Sequence, residues 1–340
     1  MNTLNKNDNE IILRKPLAKV EGTENAIFCK DVLEGLRSSP KRLPSKYFYD
    51  AVGDSIFQEI MNCEEYYPFN CELEVFSKRT AELANTIMAP GGAFDLIELG
   101  AGDCTKSNYL LKHLVEIDAD FIYRPIDISS NIIDYLNLQL PVTTPGIRMT
   151  GLNGDYFEML GKVAEVSENR KVVLFLGSNL GNMSPFDAGE FCRELRGHLR
   201  PGDLALIGLD LKKHPHKILA AYNDKEGITR RFSLNLLERI NRELDANFDV
   251  TKFDHFPTYD PETGACKSYL ISAADQEVTL ITQKGKETIH FEREETIFME
   301  ISQKYTVGQI DQLGAQASFE TVDHFFDSHK WFIDTLWRAV

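Results

Sequence analysis

The stretch at residues 94–103, which reads FDLIELGAGD, constrains the fold of this chain most. Its apolar run is typical of a buried strand, and Gly100 and Gly102 follow directly. Glycines two apart after a strand let the backbone approach a ligand closely, since no Cβ is in the way. A dinucleotide-binding loop needs a third glycine at position 105, where this chain has Thr105. The loop therefore favours a ligand that has no pyrophosphate.

Further strands are predicted at regular intervals after the first. They lie at residues 121–126, 147–152, 171–176 and 204–209, with helices predicted between them at 106–115, 130–138 and 185–199. Strands that alternate with helices predict an α/β fold with a parallel, doubly wound sheet, whose ligands bind at the carboxyl ends of the strands. This Rossmann-like pattern with a two-glycine loop is typical of S-adenosylmethionine (SAM) methyltransferases, so it favours methyl transfer over hydride transfer.

After residue 210 the pattern changes, which predicts an inserted α+β domain. Residues 218–244 are largely helical in pattern and 253–300 are rich in strand signals, while 299–305 and 331–340 are predicted as the last two strands of the first sheet. The expected organisation is a disordered N-terminus (1–20), an N-terminal segment of the substrate domain (21–75), the Rossmann-like domain (76–212), the inserted substrate-binding domain (213–298) and returning C-terminal strands (299–340).

Composition limits the partners and the location that we expect. The net charge of -15 argues against binding to a nucleic-acid backbone. The six cysteines include no C-x-x-C pair, so we expect reduced thiols, no metal site and a cytoplasmic protein. The polar N-terminus does not resemble a signal peptide, and no apolar run approaches the ~20 residues of a membrane helix. The absence of heptads favours a monomer.

Three polar residues near the strand ends are candidates for contacts with a nucleoside ligand. Asp127 ends the second strand, where a carboxylate can accept both ribose hydroxyls, although it could equally cap a helix. Asp155 could accept from an adenine amino group with Tyr156 beside the ring, or could be a turn residue. Lys106 could meet a cofactor carboxylate, although a lysine is more often a solvated surface charge.

Two segments could hold a small acceptor substrate. Residues 177–182, GSNLGN, follow the fourth strand, and their glycines and asparagines could offer carbonyl and amide groups, or could form a plain turn. The tyrosine-rich segment 47–68 could line a pocket with apolar walls and polar tips. Ordinary helix packing is the alternative for this segment, and the residues alone favour it.

Several short motifs, taken together, resemble one known family. They are LPSKYFYD (43–50), EYYP (65–68), IELGAG (97–102), TK (105–106), PID (125–127), GD (154–155), FLGSNLGN (175–182), AYND (221–224), NREL (241–244) and MEIS (299–302). The chain is similar, over about residues 40–340, to the histidine-specific, SAM-dependent Nα-methyltransferases of ergothioneine biosynthesis. The resemblance implies that the α-amine of L-histidine is trimethylated to hercynine without a metal.

Two alternatives remain open at this point. The wider family includes methyltransferases that act on a prenylated tryptophan, so the acceptor could be another amino acid or a histidine derivative. The chain could also be a non-catalytic regulator that binds SAM.

The resemblance also assigns residues to two sites. The cofactor site would comprise Gly100, Gly102, Lys106, Asp127, Asp155 and Tyr156. In the substrate site, Tyr66 and Tyr222 would hold the α-carboxylate, and Asn182 and the Gly177 carbonyl would orient the amine. Tyr49, Glu300 and Ser302 would surround the imidazole. Tyr49 and Asn182 are the candidate catalytic residues.

One position departs from the family pattern. Family members usually carry an E-M-x-L segment in the inserted domain, whereas this chain reads KSYL at 267–270. Ser268 thus replaces a methionine that would help to wall the substrate pocket, and the pocket could admit a larger ligand or a bridging water. Glu300 and Ser302 are two apart on a predicted strand and so share a face, where they can pair with both imidazole nitrogens.

Overall fold

The computed structural model describes residues 23–282 and 285–340, so the predicted disordered N-terminus at 1–20 lies outside the described residues. The helices are α1 (Thr23–Arg37), α2 (Ala51–Met61), α3 (Tyr67–Lys78), α4 (Thr80–Met88), α5 (Ser107–Glu116), α6 (Ser130–Thr143), α7 (Tyr156–Val166), α8 (Pro185–Gly197), α9 (Pro215–Ala221), α10 (Ile228–Glu243) and α11 (Val307–Gln316). Short 3-10 helices span Ser45–Phe48, Asn179–Asn182 and Val250–Lys252. The strands are β1 (Lys41–Arg42), β2 (Phe94–Leu99), β3 (Phe121–Asp127), β4 (Leu152–Asn153), β5 (Arg170–Phe175), β6 (Leu204–Asp210), β7 (Phe253–Tyr259), β8 (Ala265–Ser272), β9 (Gln276–Thr282), β10 (Gly285–Phe291), β11 (Thr296–Gln303), β12 (Phe319–Phe326) and β13 (Phe332–Ala339).

The first sheet is the predicted Rossmann-like sheet. Within the described residues its order is β12-β13-β6-β5-β2-β3-β4, with β2 to β6 parallel and β13 antiparallel to both neighbours. The strands predicted near residues 94, 121, 171 and 204 are confirmed, while the one at 147–152 shrinks to β4 and a bridge at Met149. The strand order reverses between β2 and β5, which is where open α/β sheets bind their ligands.

The prediction that residues 299–305 belong to the first sheet is wrong. Residues 299–303 form the end of β11, which lies between β1 and β8 in a second sheet of order β1-β11-β8-β7. Tyr305, which follows this strand, forms only an isolated bridge with Leu211. The strand that the prediction missed is β12, which pairs with β13 at the edge of the first sheet. Most β12 side chains are at least partly exposed, so this strand has no apolar run to reveal it. The predicted domain boundary after residue 298 consequently falls inside β11.

Separate apolar clusters support the two sheets. Helices pack on both faces of the first sheet, as expected for parallel strands whose side chains are buried throughout. The second sheet packs against α1, α2 and α10 in one buried cluster that includes Phe48, Phe232 and Phe253. In the described part of the chain, no helix combines the length and apolar character that a bilayer crossing requires.

The two sheets meet where β5 and β6 end. The backbone of Leu211 bridges to Tyr305, so the end of β6 lies beside the residues that follow β11. The 3-10 helix after β5 also approaches β11 closely, because a Cβ added to Gly181 would lie 2.9 Å from the Gln303 carbonyl oxygen. Glycine permits this approach, which brings the loop after β5 against the second sheet.

Candidate active site

The loop after β2 has the backbone conformation that its glycines predict. Gly100 and Gly102 have φ angles of +72° and +53°, in the left-handed region that favours glycine. A Cβ on Gly100 would lie 2.7 Å from the Tyr156 hydroxyl oxygen, so this phenol packs against the loop. A Cβ on Gly102 would meet nothing within 4 Å, so open space lies beside this residue.

The predicted carboxylates lie next to this open space. Asp127 accepts hydrogen bonds from the backbone N–H of Gly102 at 3.3 Å and of Ser129 at 2.9 Å, so it braces the loop and also begins the turn into α6. Asp155 caps the N-terminus of α7 by accepting from the Phe157 N–H at 3.0 Å, a role that was not predicted for it. Burial, followed by the charges of both aspartates, raises the pKa of Tyr156, so all three groups lie close together.

Lys106 is linked to the loop after β5 through a residue that the sequence analysis missed. Its ammonium forms an ion pair with Glu72, whose side chain is buried. The two carboxylate oxygens of Glu72 lie 2.8 Å and 3.0 Å from the Gly177 backbone nitrogen, which donates to them. Because a glutamate on a helix usually faces solvent, the sequence of α3 gives no sign of this contact. Glu72 therefore joins the first candidate site to the second.

Most of the predicted substrate residues line a cavity at the junction of the two sheets. Its lining includes all of Tyr49, Tyr66, Gly177, Asn182, Tyr222, Glu300 and Ser302. The lining also includes residues that were not predicted, among them Phe57, Phe232 and Lys304.

Aromatic rings from the tyrosine-rich segment form one wall of this cavity. The ring of Phe57 lies 5.6 Å from that of Tyr49 and 6.3 Å from that of Tyr66, centroid to centroid, both edge to face. Phe232 on α10 adds a further ring, 5.7 Å from Tyr49. The segment therefore contributes Tyr49 and Tyr66 to the pocket, whereas its Tyr47 packs on Phe28. Pocket lining and ordinary packing, the two alternatives for this segment, therefore both occur, each for different residues.

The loop after β5 presents Asn182 at the cavity. Gly177 and Ser178 both have positive φ angles, of +78° and +57°. The Ser178 hydroxyl accepts a hydrogen bond from the Asp210 backbone N–H at 3.1 Å, which fixes the turn against β6. Asn182 ends the following 3-10 helix, and its side chain is exposed where it borders the cavity. The turn is thus well supported and leaves this amide available to a ligand.

Glu300 and Ser268 lie opposite each other on β11 and β8. Ser268 is buried, and it lies behind Glu300 rather than directly on the cavity surface. Its hydroxyl lies 3.3 Å from Nε2 of His255 and also contacts Glu300. Burial raises the pKa of Glu300 to about 7, although Ser268 and Lys304 act to lower it. The departure from the family pattern therefore places a polar group behind the glutamate.

The hydroxyl oxygens of Tyr222 and Ser302 both accept hydrogen bonds from the buried ammonium group of Lys304. Tyr222 donates to Ser302 Oγ over 2.8 Å, and Lys304 donates to Tyr222 Oη at 2.7 Å and to Ser302 Oγ at 2.8 Å. Burial raises the pKa values of Tyr66 and Tyr222, so both phenols are neutral hydrogen-bond donors near pH 7. Lys304 was not among the predicted site residues, although it follows Glu300 and Ser302 at the same two-residue spacing.

Comparison with known proteins identifies a matching family and several similar proteins. Residues 28–339 match the family described as histidine-specific, SAM-dependent methyltransferases. The chain is 34% identical to a histidine N-alpha-methyltransferase of Mycolicibacterium smegmatis, over 81% of this chain and 84% of that protein. It is 28% identical to ergothioneine biosynthesis protein 1 of Schizosaccharomyces pombe, over 86% of this chain and 38% of that protein. It is also 30% identical to a 4-dimethylallyltryptophan N-methyltransferase of Claviceps fusiformis, over 56% of each chain.

Proposed function

Because this chain belongs to the SAM-dependent, histidine-specific methyltransferase family, we propose that it methylates the α-amino group of L-histidine to give hercynine in ergothioneine biosynthesis. The observation that carries the proposal is the cavity at the sheet junction. It brings neutral phenols, the Asn182 amide and the Glu300–Ser302 pair together at the loop after β5. These groups match the carboxylate, amine and imidazole of histidine respectively.

The residues around the β2 loop fit SAM. The open space beside Gly102 leaves room for a ligand against the backbone, and Asp127 ends the neighbouring strand where a ribose would need acceptors. Asp155 and Tyr156 would hold the adenine, and Lys106 would meet the methionine carboxylate. When bound, SAM supplies a methyl group that is activated by its positive sulfur.

The residues of the cavity would hold histidine by its polar ends. Tyr66 and Tyr222 would donate to the α-carboxylate, since their raised pKa values keep them protonated. The Asn182 side chain and the Gly177 carbonyl would orient the α-amine. Glu300 would accept from one imidazole nitrogen and Ser302 would donate to the other, while Tyr49 packs against the ring.

The proposed reaction requires the protein mainly to position the amine and the methyl donor relative to each other. A deprotonated amine is already a nucleophile, so the protein needs neither a covalent intermediate nor a metal. Holding two reactants in line can contribute about 7–11 kcal/mol at the upper end. Asn182 would serve this purpose by directing the amine's lone pair, and repeated rounds would produce the trimethylated product.

Incubation with SAM and a panel of amino acids, followed by mass spectrometry, tests the proposal. Histidine should gain up to three methyl groups, and other amino acids should gain few or none. Preferential methylation of another acceptor would replace histidine in the proposal, and SAM binding without any methylation would favour a regulator. We extend the proposal to a monomer with a small-molecule substrate in the cytoplasm. The six free cysteines support only the last point, since thiols stay reduced in that compartment.

A further inference from the structure

Behind Tyr222 and Ser302 lies a buried lysine to which the proposed function gives no role. Lys304 is fully buried, and a lysine ammonium carries three N–H donors. Its Nζ lies 2.7 Å from Tyr222 Oη, 2.8 Å from Ser302 Oγ and 2.7 Å from Asp210 Oδ2. Each of these atoms accepts one hydrogen bond from Lys304, so its three donors are all used.

Asp210 anchors this cation from behind. Its carboxylate also accepts from the Tyr67 hydroxyl at 2.8 Å and forms an ion pair with Lys213. Burial acts to raise the pKa of Asp210, but the ammonium groups of Lys304 and Lys213 outweigh it and the pKa is lowered. The carboxylate is therefore ionised and holds Lys304 in place. Because Lys213 also pairs with Asp210, loss of Lys304 would not leave the carboxylate without a partner.

The contacts of Lys304 decide which way the hydroxyls point. A serine hydroxyl has one proton and two lone pairs. The Ser302 oxygen accepts from Lys304 and from Tyr222, so both of its lone pairs are occupied. Towards the cavity that it borders, Ser302 can therefore only donate. Tyr222 has a single proton, which it donates to Ser302 in this structure. When a ligand carboxylate takes that proton, the Lys304 ammonium still donates to both hydroxyl oxygens, so the proton of Ser302 stays directed away from the cation and towards the cavity.

We propose that Lys304 is a positioning residue that fixes Ser302 and Tyr222 as hydrogen-bond donors, so that the ring site selects an aromatic ring with a lone-pair nitrogen. This inference rests on the proposed function and adds a source of its specificity. Neutral imidazole offers a lone pair to Ser302 and an N–H to Glu300. An indole offers only an N–H and leaves the Ser302 proton unmatched. A buried donor without an acceptor is penalised, so the ring that lacks the lone pair is rejected.

A double-mutant cycle between Lys304→Met and Ser302→Ala tests this role. The measured quantity is the preference for histidine over tryptophan, taken as the ratio of their kcat/KM values. Lys304→Met alone should lower this preference about tenfold, because Ser302 becomes free to accept as well as donate. In the Ser302→Ala background the same change should alter the preference less than about twofold.

The matched control is Lys267→Met on the neighbouring strand β8. Lys267 adjoins Ser268 in sequence and so points to the other face of the sheet, and this variant should keep the wild-type preference. Affinity for S-adenosylhomocysteine, measured by calorimetry, should stay within about twofold of wild type in every variant, since the cofactor site is separate. If melting curves show that Lys304→Met does not fold, Lys304→Leu, which also lacks a hydrogen-bond donor, carries the same cycle.

Two outcomes would overturn the proposal. An unchanged preference in the folded Lys304 variant would show that the cation does not govern the ring contact. An equal loss in both backgrounds would show that Lys304 acts independently of Ser302. Failure of the proposed function is a separate result, because the wild-type panel would then show no histidine methylation. The cycle would in that case use the accepted substrate and an analogue whose ring lacks the lone pair.

Discussion

Replacement of Glu300 by glutamine should stabilise the ligand-free protein at alkaline pH. Burial raises the pKa of this carboxyl from its ordinary value of 4.5 to about 7. In acid, Glu300 is protonated in both the folded and the unfolded chain, so its ionisation favours neither. As the pH rises from 4.5 towards 7, the unfolded chain releases this proton first, and the free energy of unfolding falls. Glutamine has the same shape but no proton to lose.

The size of the effect follows from the pKa difference. A difference of about 2.5 pH units corresponds to about 3 kcal/mol once both states are ionised. Because Glu300 borders the cavity, water there screens part of this penalty, and we expect about 1–2 kcal/mol. For a chain of 340 residues the melting temperature of Glu300→Gln should exceed that of wild type by about 1.5–3 °C at pH 8.5.

Thermal melts of the ligand-free proteins at pH 5 and pH 8.5 measure this difference. The gap between variant and wild type should be small at pH 5 and should widen at pH 8.5. Glu277→Gln, which changes an exposed glutamate on β9, is the matched control and should show no widening. A gap that is equal at both pH values, or a variant that melts lower at pH 8.5, would refute the inference that burial disfavours the ionised Glu300.

Three further predictions concern binding and turnover. Asp127→Ala should weaken SAM binding, measured by calorimetry, by about 1–3 kcal/mol while the fold is kept. Unchanged affinity would show that Asp127 does not contact SAM and only holds Gly102 and Ser129 in place. Asn182→Ala should lower kcat far more than SAM affinity, so a wild-type kcat would reject its role in orienting the amine. Glu300→Ala should lower kcat/KM for histidine about ten- to a hundredfold and that for tryptophan much less, and an equal change for both acceptors would contradict the imidazole contact.

The sequence predicted the parallel strands well because their signals are local. β2, β5 and β6 are short apolar runs, and glycine or aspartate residues lie close to their ends, as buried parallel strands require. The place of β11 could not be predicted this way, since an alternating strand fits either sheet and its partners β1 and β8 are distant in sequence. β12 was missed because its exposed edge needs no apolar face.

The site residues divide in the same way. The Gly100 loop and Asp127 follow from strand ends, whereas Tyr222, Glu300 and Ser302 received their roles only from the family resemblance. Lys304 was not predicted because nothing in the local sequence shows that it is buried against Asp210. A partner that is brought close only by the junction of two sheets leaves no periodic signal in the sequence.

The junction of two separate sheets has a consequence for how such a protein can diversify. The residues predicted to handle the methyl donor lie mainly on the first sheet and its loops, whereas Glu300 and Ser302 lie on β11 of the second. Substitutions on β8 and β11 can therefore change the accepted ring while the donor site keeps its own apolar support. The architecture is modular, and new acceptors are expected to arise through changes on the second sheet, without rebuilding the part that binds the donor.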